Sequence, residues 1–186
     1  MKFKLLATSL IVLSAACAST DSVADPEHKA ITTEQLEVYE CGSITRLHTF
    51  GGIFLASQPT PEDFEQAKKG GVVTVVNLRH EAEIIDFDEQ VVVTELGLNY
   101  LPLAWNGPDE LTDSVFDESR QIIETVERPA LVHCGSANRV GAIWLPWRVL
   151  NEGVSVEEAL AEAKMIGMRS PAYEQKALDY IKRKQM

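Results

Sequence analysis

From residue 43 onward, short uninterrupted apolar runs alternate with longer segments in which apolar residues recur at helical spacing. The runs "VVTVVNLR" (72–79) and "PALVH" (129–133) are typical of strands buried on both faces of a parallel sheet. The stretch "SITRLHTFGGIFLASQP" (43–59) predicts two short strands around a glycine pair, and "NYLPLA" (99–104) predicts another strand.

Capping residues mark where the intervening helices begin. Thr60, followed by Pro61 and two acidic residues, predicts a helix that ends at Gly70. Thr112 predicts a second helix, whose apolar positions fall on one face: Val115, Phe116, Ile122, Ile123 and Val126.

Four further helices follow from weaker signals. They are predicted over 86–96, after residue 138 with a kink at Pro146, from a Ser155–Glu158 capping box, and from Ser170-Pro171. Strands and helices thus alternate along the chain, and this order predicts an α/β fold with a central, mainly parallel sheet flanked by helices.

The N-terminus has the layout of a secretory signal: two lysines, an apolar run, then small residues. An A-x-A site at 16–18 predicts a signal peptide over 1–18 and a soluble exported protein. Residues 14–17 resemble a bacterial lipobox, which instead predicts a signal over 1–16 and a lipidated Cys17. We expect a linker over 19–42, a domain over 43–186, and a periplasmic or exported protein, lipid-anchored to the cell envelope in the second case.

Composition narrows the range of partners. The 186 residues carry a formal net charge of -11, which argues against nucleic acid and against anionic membrane surfaces. Membrane contact is therefore expected only through lipidation of Cys17. The four histidines are scattered and no HExxH, P-loop or GxGxxG motif is present, so we predict neither a metal nor a cofactor.

The stretch "LVHCGSANRVGA" (131–142) carries the chemistry. Cys134 follows a buried strand and precedes a helix, where backbone N–H groups and the helix dipole favour a thiolate. Arg139 offers a planar fork for an oxyanion. Between these two residues lie the expected substrate-binding residues Gly135, Ser136, Ala137 and Asn138.

Residues 44–168 resemble the cysteine-dependent phosphatases of dual-specificity type, within the protein tyrosine phosphatase superfamily. The most similar branch is the bacterial beta-lactamase-hydrolase-like phosphatase domain. The resemblance rests on "IFLASQPTPEDFEQAKKGGVVTVVNLRHEAE" (53–83) and "PALVHCGSANRVGA" (129–142). It implies a phosphatase-like fold, in which the Cys-Arg loop joins a strand to a helix.

The resemblance also assigns roles to residues. It implies that Cys134 is the nucleophile that forms a phosphocysteine and that Arg139 binds the phosphate. It places three further residues near the site: Ser57, Gln58 and Arg79. We expect Arg79 to form a structural ion pair with Glu81 or Glu83 rather than to act in catalysis.

This sequence departs from the phosphatase signature at three points. Four residues separate Cys134 from Arg139 where the signature has five, and Val140 replaces the usual Ser or Thr, leaving Ser136 as the available hydroxyl. The general acid is expected in the loop "LPLAWNGPDELTD" (101–113), with Asp109 as the candidate and Glu110 as its alternative.

Three functions remain open. The first is an exported phosphatase-like hydrolase that acts on a small anionic or phosphorylated substrate. The second is a sulfurtransferase, because Cys-x4-Arg is similar to the active loop of many rhodaneses and a persulfide needs no general acid. The third is a non-catalytic anion-binding domain. A Cys41–Cys134 disulfide is not expected, although export would permit one.

Overall fold

The computed structural model describes residues 33–186. The predicted signal peptide and residues 19–32 of the predicted linker lie outside these described residues. Between residues 33 and 186, no helix is both long enough and apolar enough to cross a membrane.

The described chain alternates strands with helices, as the sequence predicts. The strands are β1 (Glu37–Val38), β2 (Leu47–Phe50), β3 (Ile53–Ala56), β4 (Thr74–Asn77), β5 (Asn99–Pro102) and β6 (Ala130–His133). The helices are α1 (Pro61–Lys69), α2 (Glu89–Glu95), α3 (Gly107–Glu110), α4 (Asp113–Thr125), α5 (Asn138–Leu150), α6 (Val156–Ile166) and α7 (Pro171–Lys184), with a 3₁₀ turn at Glu81–Glu83.

The strands form one sheet in the order β1-β2-β3-β6-β4-β5. The pairs β1–β2 and β2–β3 are antiparallel, whereas β3–β6, β6–β4 and β4–β5 are parallel. The predicted α/β fold with a mainly parallel sheet is therefore confirmed. The carboxyl end of β6 lies between those of β3 and β4, where ligands bind in sheets of this kind.

Helices cover both faces of the sheet. On one face, α1 and α2 pack through residues such as Phe64 and Val93. On the other face, α4, α5, α6 and α7 enclose a larger cluster that includes Trp144 and Trp147. Every residue of α5 from 139 to 149 is buried, including Arg139 and Arg148, so this helix lies inside the domain.

Most predicted helix starts are confirmed. Thr60, Thr112 and Ser170 each accept a backbone N–H at the start of a helix. The helix predicted from residue 86 begins later, at Glu89, because Asp88 caps it by accepting the N–H of Val91.

Two further observations concern α5 and β1. The helix α5 continues past Pro146, where the sequence predicts a kink, so Pro146 does not end the helix. The strand β1 lies within the segment predicted as a linker and pairs with β2, so this segment joins the sheet.

Candidate active site

The Cys134 loop, residues 134–139, leaves the carboxyl end of β6 and is held against the chain that leaves β3. The N–H of Cys134 donates to the carbonyl of Ala56 at 3.4 Å. The N–H of Gln58 donates to the carbonyl of Gly135, also at 3.4 Å. Cys134 is only 1% exposed, so its thiol lies at the inner end of the loop.

The loop turns into α5 at Ala137, which has φ 63° and ψ 3° in the left-handed region. Residues other than glycine are uncommon there, and such positions cluster at functional sites. The carbonyl of Ala137 accepts the N–H of Gly141 at 3.0 Å, the first bond of the helix. Through this turn α5 begins at Asn138, four residues after Cys134, and the thiol lies next to the N-terminus of α5.

Arg139 is buried and held by three groups that precede α5 in the chain. Its Nη1 donates to the carbonyls of Leu78 and Trp105, at 2.9 and 2.6 Å. Glu83 accepts from Nη1 at 2.8 Å and from Nη2 at 2.6 Å. These bonds fix the plane of the guanidinium group, which bidentate binding requires.

The remaining donors of Arg139 lie on one edge. A guanidinium group carries five N–H donors. Nη1 uses both of its hydrogens and Nη2 uses one, whereas Nε makes no hydrogen bond to any residue between 33 and 186. The Nε–H and the second Nη2–H lie side by side, so this edge suits a bidentate oxyanion.

Charge pairing between Glu83 and Arg139 keeps both groups ionised. The hydrogen bonds from Arg139 are the main cause that lowers the pKa of Glu83 below its usual value. Burial alone would lower the pKa of Arg139, but the hydrogen bonds to Glu83 and its charge raise it instead. The guanidinium group of Arg139 thus stays cationic.

Arg79 lies against the same loop. Its Nη1 donates to Oε1 of Gln58 at 2.5 Å and its Nη2 donates to the carbonyl of Glu83. The Nε atom lies 3.8 Å from Oε2 of Glu83, so the expected contact with Glu83 is present. A Cβ atom on Gly135 would lie 3.9 Å from Nε, which places the Arg79 guanidinium beside the loop backbone.

A buried acid that the sequence analysis missed contacts His133, the residue before Cys134. Oε1 of Glu89 lies 2.9 Å from Nε2 of His133, and Gln58 donates to its Oε2 at 2.7 Å. The side chains of His133 and Glu89 are 0% and 1% exposed. In the sequence, Glu89 looks like an ordinary acidic residue in a first helical turn, so no local signal indicates its role.

These contacts join into one hydrogen-bonded chain, which we call the site network. It runs from His133, the residue before Cys134, to Arg139 through Glu89, Gln58, Arg79 and Glu83. The structure therefore brings the predicted Gln58 and Arg79 to the site, where they support the loop.

The loop between α6 and α7 covers the other side of the Cys134 loop. Oδ1 of Asn138 accepts the N–H groups of Arg169 and Ser170, at 2.8 and 3.2 Å. Nη2 of Arg169 donates to Oγ of Ser136 at 2.7 Å. The side chain of Asn138, predicted to bind substrate, is thus occupied by backbone contacts, and Arg169 is a residue that the sequence analysis missed.

The candidate general acids lie on α3. Asp109 is exposed, and within residues 33–186 no hydrogen bond or ion pair joins it to Cys134 or Arg139. Glu110 lies 2.7 Å from Nε2 of His80 and accepts the N–H of Asn106. The hydrogen bond with His80 is the main cause that lowers the pKa of Glu110, which disfavours it as a proton donor.

Cys41 and Cys134 are both free thiols. Cys134 packs in the cluster under α4 to α7, whereas Cys41 packs against the cluster under α1 and α2. The sheet therefore lies between these two cysteines. Within the described part of the chain, no three His, Cys, Asp or Glu side chains form a group that could hold a metal ion.

Comparisons with known proteins bear on the fold. No protein-family model matches this sequence, and no curated protein matches it significantly. Among solved structures, TpbA of P. aeruginosa is similar with a TM-score of 0.61 and 21% identity, over 80% of this chain and 89% of TpbA.

Two other solved structures give the same result. A DUF442 protein from Shewanella putrefaciens CN-32 has a TM-score of 0.62 and 16% identity, over 76% of this chain and 94% of its own. Tk-PTP has a TM-score of 0.57 and 18% identity, over 72% of this chain and 93% of its own. The chain therefore has the α/β fold of phosphatases of the tyrosine and dual-specificity type, as the resemblance in its sequence implies.

Proposed function

We propose that this protein is a cysteine-dependent phosphatase, in which Cys134 is the nucleophile and Arg139 binds the phosphoryl oxygens. The observation that supports the proposal is the hydrogen bonding of the Arg139 guanidinium group. Glu83 and two carbonyls hold one side of its guanidinium group, and the Nε–Nη2 edge remains for an oxyanion.

The reaction has two steps. The Cys134 thiolate attacks phosphorus, an S–P bond forms, and the ester P–O bond breaks as the leaving oxygen takes a proton from Asp109. Water then attacks the phosphocysteine, the S–P bond breaks, inorganic phosphate leaves, and the water proton returns to Asp109. The backbone of Gly135, Ser136 and Ala137 surrounds the phosphoryl oxygens, which Arg139 holds.

Local charge makes an anionic substrate acceptable to an acidic protein. Three arginines beside the loop carry formal positive charges: Arg79, Arg139 and Arg169. The acids Glu83 and Glu89 carry two formal negative charges, so the sum is +1 before Cys134 ionises. The protein as a whole carries -11. Because charges separated by more than about 8 Å are largely screened at physiological ionic strength, the nearby arginines outweigh distant acids.

An aryl phosphate assay tests the proposal. The purified protein should release 4-nitrophenol from 4-nitrophenyl phosphate, and Cys134→Ser should abolish release, because a hydroxyl is essentially un-ionised at neutral pH. Cys41→Ser is the matched control and should keep full activity. Equal activity of Cys134→Ser and the unmodified protein would remove Cys134 from the mechanism.

A sulfurtransferase is the second candidate, because only four residues separate Cys134 from Arg139. A persulfide is smaller than a phosphoryl group and needs no general acid, which fits a short loop beside an exposed Asp109. Thiosulfate with cyanide, assayed beside the aryl phosphate, separates the two reactions. Thiocyanate formation without phosphate release would favour the sulfurtransferase.

We also propose that the protein acts outside the cytoplasm. The motivation is the order of lysines, apolar residues and small residues at the N-terminus. Intact-mass measurement of protein from the cell envelope should show a mature chain that begins at Cys17 or Ser19, with added acyl mass in the first case. A full-length cytoplasmic species would contradict export.

A further inference from the structure

Arg169 is an exposed arginine that touches the Cys134 loop directly. It lies between α6 and α7, and its Nη2 donates to the Ser136 hydroxyl at 2.7 Å. Its Nη1 lies 3.5 Å from the Ser136 carbonyl. Ser136 is two residues from Cys134, a span of at most about 7 Å of backbone. A cation therefore stands at the rim of the loop, within the reach of one small substrate.

The segment that carries Arg169 is held closely to the loop. Asn138 accepts two of its backbone N–H groups. Gly167 has φ +146°, and a Cβ atom there would lie 3.0 Å from Cβ of Ala137. At Gly141, a Cβ atom would lie 2.5 Å from the Ala163 carbonyl, so α5 and the end of α6 also meet closely. The backbone position of Arg169 is thus determined by the loop itself.

The contact leaves hydrogen-bond donors at the rim. An arginine only donates, so the Ser136 oxygen must accept, and the hydroxyl hydrogen remains available. Ser136 Oγ makes no other hydrogen bond with residues 33–186. Arg169 keeps Nε–H and further Nη hydrogens, because its side-chain hydrogen bonds within those residues go only to Ser136. Both groups can therefore donate to one anion.

We propose that Arg169 and the Ser136 hydroxyl form a second anion subsite, which selects phosphoester substrates that carry a further anionic group beside the scissile phosphate. The proposal rests on the proposed phosphatase function for its catalytic readout. Arg139, which is buried, binds the phosphoryl group, whereas Arg169, which is exposed, binds a neighbouring carboxylate or phosphate. Arg169 is thus a specificity-determining residue.

Paired substrates test the subsite. The substrates are 3-carboxyphenyl phosphate and 3-carbamoylphenyl phosphate, which have similar shape and differ in the charge of the second group. The unmodified protein should prefer the carboxylate by about fivefold in kcat/KM, as expected for one exposed charge pair. Arg169→Gln should reduce this ratio to about one, since the charge partner is lost. Benzene-1,3-diyl bis(phosphate) should show the same dependence if a phosphate also fits.

The control removes the same charge elsewhere. The control variant is Lys182→Gln. Lys182 lies eleven residues along α7 from Pro171, which is about 16 Å at the helical rise and exceeds the screening length. This variant should keep the fivefold ratio. A ratio near one in the unmodified protein, or an unchanged ratio in Arg169→Gln, would overturn the subsite.

A binding measurement separates this inference from the function on which it rests. In Cys134→Ser, calorimetry with the same two ligands needs no turnover. A carboxylate preference that disappears when Arg169→Gln is added would support the subsite even if the unmodified protein hydrolysed neither ester. Equal affinities for the two ligands, both in Cys134→Ser and in Cys134→Ser with Arg169→Gln, would refute the subsite. Thermal unfolding of each variant shows whether Arg169→Gln changes the fold rather than the selectivity.

Discussion

Replacing Glu83 with Gln tests whether the free edge of Arg139 depends on its partner. Glu83→Gln keeps the size of the side chain and one acceptor oxygen, but it removes the negative charge and one of the two bonds. The Leu78 and Trp105 carbonyls still hold Nη1. The guanidinium group should therefore stay near its position and lose its fixed plane.

The loss of unfolding free energy in Glu83→Gln follows from the burial of the Glu83–Arg139 pair. The Arg139 side chain is 9% exposed and that of Glu83 is 24% exposed, so the pair lies between surface and interior. Removing one partner of a fully buried pair costs about 3–5 kcal/mol, whereas exposed pairs contribute at most about 1 kcal/mol. With two carbonyls left to Arg139, we expect a loss of about 2 kcal/mol in unfolding free energy and a raised KM for aryl phosphate.

The loss of unfolding free energy in Glu83→Gln should depend on pH. The pKa of Glu83 is lower in the folded protein than in the unfolded chain, so its stabilisation is present above the unfolded value of about 4.3 and is lost as the pH falls through the folded value. Urea unfolding of both proteins should differ most at about pH 7 and converge in acid. Glu81→Gln, in the same 3₁₀ turn, is the control and should show neither change. A constant difference across pH would refute the charge argument.

Three further predictions concern Arg139, Asp109 and Gly167. Arg139→Lys keeps the charge but loses the fork, and should raise the phosphate inhibition constant and lower turnover, each by about tenfold or more; unchanged inhibition would exclude Arg139 from binding. Asp109→Asn should lower turnover on alkyl phosphates on the order of a hundredfold; an unchanged rate would leave the proton donor to water or another group. Gly167→Ala should destabilise the protein by about 1–3 kcal/mol in urea unfolding, and by more than Gly153→Ala, where φ is +70° but no atom lies within 4 Å of the added Cβ; equal losses would mean that the contact with Ala137 is unimportant.

Local signals predicted most of the fold. The mainly apolar runs at 72–79 and 129–133 contain the central strands β4 and β6, because burial on both faces favours apolar residues at successive positions rather than strict alternation. Thr60 and Thr112 capped helices because their hydroxyls accept N–H groups close in sequence. Each of these signals lies within a few residues of the strand or helix that it predicts, so it can be recognised from the sequence alone.

Long-range partners could not be predicted in the same way. Glu89 meets His133 across 44 positions of sequence, and Arg169 meets Ser136 across 33. Nothing near either residue distinguishes it from a solvated surface charge. The sequence therefore predicted where the Cys134 loop lies, but only the fold reveals which charges surround it.

The site network has a consequence for sequence variation among relatives of this protein. Its six residues come from separated segments, and each interior member satisfies groups on both sides. Loss of Glu89 alone would leave His133 buried without a partner, and loss of Glu83 alone would leave Arg139 short of its counter-charge. Substitutions at these positions should therefore occur in pairs, so that Glu89 covaries with His133 and Glu83 with Arg139.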